Sequence, residues 1–528
     1  MKKVYLLLFC WLAIGAVQAQ TSPTQGNYEL AARFSPEKLK KMIFSTSVDA
    51  HWLKKSDRFW YEYETSEGKN WYIVNPATKT KTKLFDNDLL AAEITKVVRD
   101  PFDGQHLDIS NLKFLEDENT IEFKVKSTQE VLKKDWEEIK AKNRNAKDSL
   151  EKKTFVFRYN INTQVLTEIT DPEEEAKRLA WANISPDSSK VVFARHHNLY
   201  WMDKENFLKA VKDEKDSTIV EHQLTTDGEK DYTYGGWGRG EDNVEEEKNK
   251  DKRKRASILW SDNSKQFVLT RSDAREVKDL WVIHNTRDPR PTLETYKYAM
   301  PGEKEQPIAE LYHYSFDTET LTKLDVNTFK DQTIGLWSKD IPASNRDDDF
   351  KPVKWLGDND YFYFSITSRD LKRIDICRWN IKEGKKEVIV EERSNTYIDI
   401  NKPEIINNGT ELIHWSERDG WGHFYLYGTD GTLKRQLTSG PYHTESVARV
   451  DERARMLYFI ANGREKGEDP YYEHLYKVSL NGGAVTLLNP GDYNHSVSMN
   501  DRATFFVNNF SRVNTVPASA LYDNMGRK

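Results

Sequence analysis

Apolar and polar positions alternate along this chain in short runs of roughly four to eight residues, each bounded by Gly, Asn, Asp, Ser or Pro. Such runs predict strands, and one arrangement of them recurs. A strand holding Trp or another aromatic leads into a polar turn and an aromatic-rich second strand. A third strand holds Leu-Tyr or Trp-Tyr, and a fourth closes on a Leu-Thr-like pair. The first unit contains Trp52-Leu53, the run from Asp57 to Tyr63, Trp71-Tyr72-Ile73-Val74 and Lys83-Leu84-Phe85. The second runs from Leu112 to Thr170. The third has Val191-Val192-Phe193, Leu199-Tyr200-Trp201 and Gln223-Leu224-Thr225. The fourth has Leu259-Trp260-Ser261-Asp262, Phe267-Val268-Leu269 and Leu311-Tyr312. Units five to eight start near Val353, Glu404, Ala448 and Val497. Unit six is the clearest, with Leu412-Ile413-His414-Trp415, His423-Phe424-Tyr425-Leu426-Tyr427 and Arg435-Gln436-Leu437-Thr438.

Eight such units cover residues 48–526. Four strands in about 40 to 50 residues is the period of a propeller blade. A lone four-stranded sheet cannot bury both of its faces, whereas blades packed around an axis bury them and leave only short edges. The predicted fold is therefore all-β, an eight-bladed β-propeller of four-stranded antiparallel blades. A solenoid would need a shorter and more regular period. Two segments interrupt the repeat. Residues 128–153 are charged and lack Gly and Pro, and their Leu132, Trp136 and Ile139 fall at helical intervals, which predicts a helix inserted in the second unit. Residues 241–255 run from acidic to basic and read as a solvated loop. Ahead of the first unit, Ser35 as N-cap and Pro36 in the first turn predict a short helix over 36–44. Leu39, Met42 and Ile43 on it are expected to lack part of their packing surface.

The first residues change the picture of where the chain works. Lys2 and Lys3, the apolar stretch from Val4 to Ile14, and Val17-Gln18-Ala19 form a secretory leader with cleavage after Ala19. Cys10 follows Phe9 rather than a small residue, which argues against a lipoprotein. The expected organisation is a leader at 1–19, an N-terminal segment at 20–47 and the propeller at 48–526, exported to the periplasm or beyond. No later run of about 18 apolar residues predicts a membrane span. Beyond the leader only Cys377 remains, in a strand-like run, so it reads as a buried apolar residue and not as part of a disulfide or a Cys-rich metal site. The net charge of −6 is mild for 528 residues and gives no basic face for nucleic acid.

Motifs that carry chemistry are scarce. The chain has no Gly-x-Ser-x-Gly elbow, no phosphate loop and no His-Glu-x-x-His pair, and its twelve His are scattered. His196-His197 reads as a turn. No catalytic residue, metal ligand or cofactor site is assigned.

Several stretches, in order, resemble the propeller of dipeptidyl peptidase IV-like serine peptidases. The strongest is the segment from Ser416 through Arg418-Asp419-Gly420-Trp421 and His423 to Leu426, followed by Gln436-Leu437-Thr438-Ser439-Gly440. Tyr458-Phe459-Ile460-Ala461 with His474-Leu475-Tyr476, and Thr295-Tyr296-Lys297-Tyr298 with Pro301-Gly302 and Pro307, are similar to further family stretches. The resemblance implies a propeller that caps an α/β-hydrolase domain bearing a Ser-Asp-His triad, in enzymes that release dipeptides or tripeptides from free N-termini. That hydrolase would follow the last blade, and this chain stops at Lys528, so the chain alone is expected to be inactive. A truncated gene, a fragment and a split protein all fit. The N-terminal segment is expected to lie against the hydrolase, which would leave an apolar patch around that rim.

The resemblance also implies a site for the substrate's α-ammonium, built from acids just past a Trp. Here Glu241 and Asp242 follow Trp237 at the matching offset, with Gly236 where the family has Asp. Glu245, Glu246 and Glu247 offer a rival alignment. Two converging carboxylates would select a free N-terminus by charge-assisted hydrogen bonds, and without a bound cation one of them should be harder to ionise. A solvated acidic loop is the plain alternative. Two functions remain open: a substrate-gating propeller of an exopeptidase, with peptide substrate and hydrolase domain as partners, or a free-standing binding module for a protein or glycan.

Overall fold

The computed structural model describes residues 26–133, 136–142, 149–170, 179–235 and 241–528. The leader, and the stretch 236–240 with Trp237 and Arg239, lie outside the described residues. Eight antiparallel sheets follow one another along the chain without interleaving. Blade 1 is His51–Trp52, Phe59–Thr65, Gly68–Asn75 and Thr80–Lys83. Blade 2 is Ile109–Phe114, Thr120–Leu132, Leu150–Asn160 and Val165–Ile169, and blade 3 is Asn183–Ile184, Lys190–Arg195, Asn198–Asp203 and His222–Gln223. Blade 4 is Ile258–Trp260, Gln266–Asp273, Ile308–Ser315 and Thr320–Lys323, and blade 5 is Thr333–Leu336, Tyr361–Thr367, Arg373–Asn380 and Lys385–Arg393. Blade 6 is Glu404–Ile406, Glu411–Ser416, His423–Gly428 and Leu433–Gln436. Blade 7 is His443–Asp451, Met456–Asn462, Glu473–Ser479 and Thr486–Leu487, and blade 8 is Asn494–Met499, Phe505–Ser511 and Ala518–Asp523.

The burial of each strand follows from its place in a blade. In blade 6 the two middle strands are buried throughout, because neighbouring blades cover both of their faces, while the fourth strand is exposed throughout. Apolar clusters fill the spaces between consecutive blades, for example Val268 and Leu311 against Phe362, Phe364 and Trp379 between blades 4 and 5. Among the described residues seven of the eight neighbouring pairs share such a cluster, and blades 2 and 3 share none. Blade 8 meets blade 1 through Val507, Trp52 and Tyr61, which closes the ring.

Because every blade zigzags in the same order, its connections sort by end. Turns from first to second strand lie at one end, here the turn end. Connections from second to third strand and from blade to blade lie at the other, the crossover end. The crossover end carries helices α1 (Tyr28–Arg33), α2 (Pro36–Leu39), α3 (Asn87–Val98), α4 (Trp136–Lys142) and α6 (Asn243–Asn249), with α5 (Lys204–Lys212) at the turn end. A two-stranded hairpin, Asp279–His284 with Thr292–Lys297, rises from blade 4 at the crossover end.

Five expectations need correction. The helix predicted over 128–153 is confined to α4, because the ladder of blade 2 continues through Glu130 opposite Lys152 and Leu132 opposite Leu150. Cross-strand pairing there outweighs the helical spacing. The loop predicted over 241–255 contains α6. Blade 8 has three strands, because the chain past Asp523 turns back on it, with Gly526 N–H donating to the Asp523 carbonyl. Blade 5 begins at Thr333, not near Val353. The N-terminal helix α2 is shorter than predicted; Met42 and Ile43 are exposed and Leu39 is half-buried, as expected. Cys377 is buried, and burial pushes its thiol up to about 12. Among the described residues no helix is long and apolar enough to cross a membrane.

Candidate functional site

Helix α6 starts because its sequence supplies its own cap. The Asp242 Oδ1 accepts the N–H of Val244 at 3.0 Å and of Glu245 at 2.9 Å, and Glu245 Oε2 accepts the Asp242 N–H at 3.4 Å. This reciprocal pair is a capping box. Asp242 is 2% exposed. Its Oδ2 accepts the Thr292 hydroxyl of the hairpin at 2.6 Å, and Arg287 Nε lies 3.7 Å away. The Thr292 hydroxyl first, then the Glu245 N–H, hold the Asp242 carboxyl below the usual carboxylate range.

Glu241 is placed differently. Its Oε1 accepts Asn249 Nδ2–H at 3.0 Å, and its Oε2 lies 3.7 Å from Lys254 Nζ, with the side chain 31% exposed. The two carboxylates therefore turn to different partners. The expected hard-to-ionise member of the pair is not Asp242, whose carboxylate is occupied in starting the helix and joining it to the hairpin. Of the rival acids, Glu245 pairs with Arg287 at 3.1 Å, Glu246 with Lys230 at 3.4 Å, and Glu247 with Lys250. All of these acids lie at the crossover end.

Removing the cap should be felt locally. Asp242→Ala is expected to speed amide exchange in 243–249 and at Thr292, while Glu247→Ala leaves both as they are. Since the Asp242 carboxyl is depressed in the folded chain, its contribution holds above the free-Asp range near 3.9. It is lost as pH falls through the depressed value. Unchanged exchange in Asp242→Ala at pH 7 would show that the cap is not what orders α6.

A second feature of the crossover end draws on several blades. The second-to-third strand connections of blades 6, 7 and 8 expose Trp421, Tyr471, Val513 and Val516, beside Met42 and Ile43 ahead of blade 1. The first-to-second strand turns of the same three blades carry Asn407-Asn408, Glu452-Arg453 and Asp501-Arg502 instead. In these three blades the crossover-end connections expose large apolar side chains that the turn-end connections lack. Large exposed apolar side chains gathered at one end of a fold suit a docking face. Trp421, in a family-like stretch, and Met42 and Ile43, on the N-terminal segment, stood out in the sequence; Tyr471, Val513 and Val516 did not. Among the described residues no group of three or more His, Cys, Asp or Glu is set to hold a metal ion.

Comparison with known proteins bears on what this end is for. Residues 135–517 match the family model described as the dipeptidyl peptidase IV (DPP IV) N-terminal region. A probable dipeptidyl-aminopeptidase B of Aspergillus oryzae is 26% identical over 404 residues, 71% of this chain and 40% of that protein. One from Phaeosphaeria nodorum is 24% identical over 351 residues, 61% of this chain and 34% of that protein. The chain thus spans two fifths or less of the length of these relatives. In fold it is similar to the crystal structure of Porphyromonas gingivalis dipeptidyl peptidase 4, with a TM-score of 0.54 and 17% identity over 96% of this chain and 61% of that one. A family model that fits this much of an eight-bladed chain decides its membership: the chain belongs to the family of the dipeptidyl peptidase IV N-terminal region.

Proposed function

We propose that this chain is the substrate-gating, non-catalytic propeller portion of an exported serine exopeptidase, of dipeptidyl or tripeptidyl peptidase type, which acts on peptides with free N-termini. The observation that carries this reading is the set of exposed apolar side chains on crossover-end connections, Trp421, Tyr471, Val516 and Met42. An α/β-hydrolase domain docked there would bury them. It would also bring the reacting groups to the end that carries Glu241. Of the two acids, Glu241 is the less buried, its side chain 31% exposed against 2% for Asp242, so it is the better candidate for the substrate's α-ammonium, and Asp242 supports it by fixing α6. The basic and apolar start of the chain supports export.

The test joins the chain to the hydrolase domain of a related full-length enzyme. Peptides with a free N-terminus should be cleaved, and Glu241→Ala should lower kcat/KM by roughly ten- to a hundredfold, the loss of one charge-assisted contact. Peptides with a blocked N-terminus should not distinguish the two proteins. Equal activity of Glu241→Ala on free peptides removes Glu241 from the site. A fused hydrolase that never associates with the propeller overturns the docking itself.

A further inference from the structure

The innermost strand of blade 5 is interrupted. Thr333–Leu336 pairs with the second strand from Thr367 to Phe364, and the same pairing resumes when Tyr363 N–H donates to the Leu356 carbonyl at 3.0 Å. Between these points the chain leaves the blade. In the other seven blades the step from first to second strand takes four to six residues; here 24 residues separate Leu336 from Tyr361.

The excursion crosses the ring. It is anchored beside its own blade, where Lys339 and Lys354 reach the Asp262 carboxylate of blade 4 at 2.6 and 2.8 Å and Asp340 pairs with Lys402, just ahead of blade 6. Farther out, Asp501 in the turn of blade 8 accepts the N–H groups of Ala343 and Ser344 at 2.8 and 3.1 Å and the Ser344 hydroxyl at 2.5 Å. Arg346 donates to the Phe114 carbonyl of blade 2, Asp348 pairs with Lys113 of blade 2 at 2.9 Å, and Asp349 pairs with Lys54 of blade 1 at 2.6 Å. In a ring of eight, blade 1 stands opposite blade 5. Blades that are not neighbours can be bridged in this way only across the axis, and every partner is a first strand or lies next to one.

Apolar burial does not hold the segment in place, since Ile341, Phe350 and Val353 are exposed. Directed polar contacts do. Burial pushes the Asp349 carboxyl up, but the Lys54 ammonium and the Arg346 N–H hold it at about 2, and Asp501 is likewise held low against burial by Ser344 and the Ala343 N–H. Both latches are thus charged at any ordinary pH.

We propose that residues 338–354 are a crossbar closing the turn-end mouth of the propeller, so that ligands reach the axial channel from elsewhere, the crossover end first among the routes. The inference stands apart from the proposed peptidase role and is tested on this chain alone. Two cysteine pairs test the crossing: Ser344→Cys with Asp501→Cys, and Asp349→Cys with Lys54→Cys. A short bifunctional maleimide should join each pair within one molecule, giving linked peptides by mass spectrometry. If neither pair links while the single cysteines react freely, the crossing is overturned. Closure is read at Glu404→Cys, on the innermost strand of blade 6, with the wild-type chain as the blank for Cys10 and Cys377. Shortening 341–350 to Gly-Gly should speed its modification by a bulky polyethylene glycol maleimide by about tenfold or more, and by N-ethylmaleimide far less. Equal bulky-reagent rates with and without the crossbar overturn closure. Should the shortened chain not fold, Asp501→Ala with Lys54→Ala frees the far contacts without removing residues and is read by the same two rates.

Discussion

Replacing Glu392 by alanine should destabilise the ring by about 3–5 kcal/mol, because it strands the Arg418 cation and the His414 N–H donor in the interface between blades 5 and 6. Glu392 is on the fourth strand of blade 5 and is 7% exposed. Its Oε1 accepts His414 Nε2–H of blade 6 at 2.8 Å and also pairs with Arg418. Arg418 in turn donates to the Tyr427 hydroxyl and lies over the Tyr425 ring, 4.5 Å from its centroid. Burial keeps His414 from taking a proton, so the imidazole donates from Nε2 as the neutral ring. Burial also pushes the Glu392 carboxyl up, yet His414 and then Arg418 hold it at about 2. The depressed value fixes the sign of the pH dependence. The stabilisation is fully present above the unfolded Glu value of about 4.3 and is lost as pH falls through about 2. Urea unfolding followed by Trp fluorescence should therefore give a large midpoint shift for Glu392→Ala at pH 7 that narrows between about pH 4 and pH 2. Glu392→Gln, which keeps an acceptor, should recover part of it. A shift under about 1 kcal/mol at pH 7 would mean that water replaces the carboxylate and that the blades do not depend on it.

The residues of this triad show how much of the fold can be read in advance. His414, Tyr425 and Tyr427 sit in the clearest of the eight repeats, and that repeat is clear because both faces of its middle strands are covered, so aromatics run on without a polar face between them. Periodicity carries the number and order of the blades for this reason. It fails where a strand is not continuous in sequence. Blade 5 divides its first strand around the crossbar, so a local window finds Val353 and misses Thr333, which is paired in the same ladder. Leu132, Trp136 and Ile139 are spaced for a helix, but what decides Leu132 is its partner Leu150 across the ladder, far outside any helical window.

The candidate site divides along the same line. The acids beside Trp237 are visible as composition. Asp242 with Glu245 three residues on is also a legible capping signature, and it announces a helix start where a solvated loop was expected. What no local pattern contains is the Thr292 hydroxyl, fifty residues away, that ties Asp242 to the hairpin. That Trp421, Tyr471 and Val516 share one end of the ring is beyond local sequence for a similar reason: they belong to three blades.

Ring closure is the one junction through which the chain does not run, and Trp52→Ala should test it. The first and last blades share no strand; each is a separate sheet. Apolar packing and side-chain hydrogen bonds, some to main-chain atoms, join them. Trp52, 4% exposed, packs on Phe59 and donates Nε1–H to Ser498 Oγ of blade 8 at 3.0 Å. Val507 of blade 8 completes the cluster with Tyr61 and Val74. Around it, Asp57 accepts Asn500 Nδ2–H at 2.9 Å and the Thr504 hydroxyl at 3.1 Å, and Val48 exchanges two hydrogen bonds with the Asn509 amide. Removing a buried Trp typically costs about 3–5 kcal/mol, and here the cavity would fall on the one junction that has no neighbouring sequence to hold it. The ring should then open from this junction. Native-state amide exchange is expected to quicken together in Phe59–Thr65 of blade 1 and Phe505–Ser511 of blade 8, while Gln266–Asp273 of blade 4, on the far side, keeps wild-type protection. Phe364→Ala between blades 4 and 5 is the comparison, since it deletes a comparably buried aromatic where the chain runs directly from one blade into the next. If Trp52→Ala quickens exchange equally in all blades, the ring unfolds as one unit and its closure is no weaker than its other junctions.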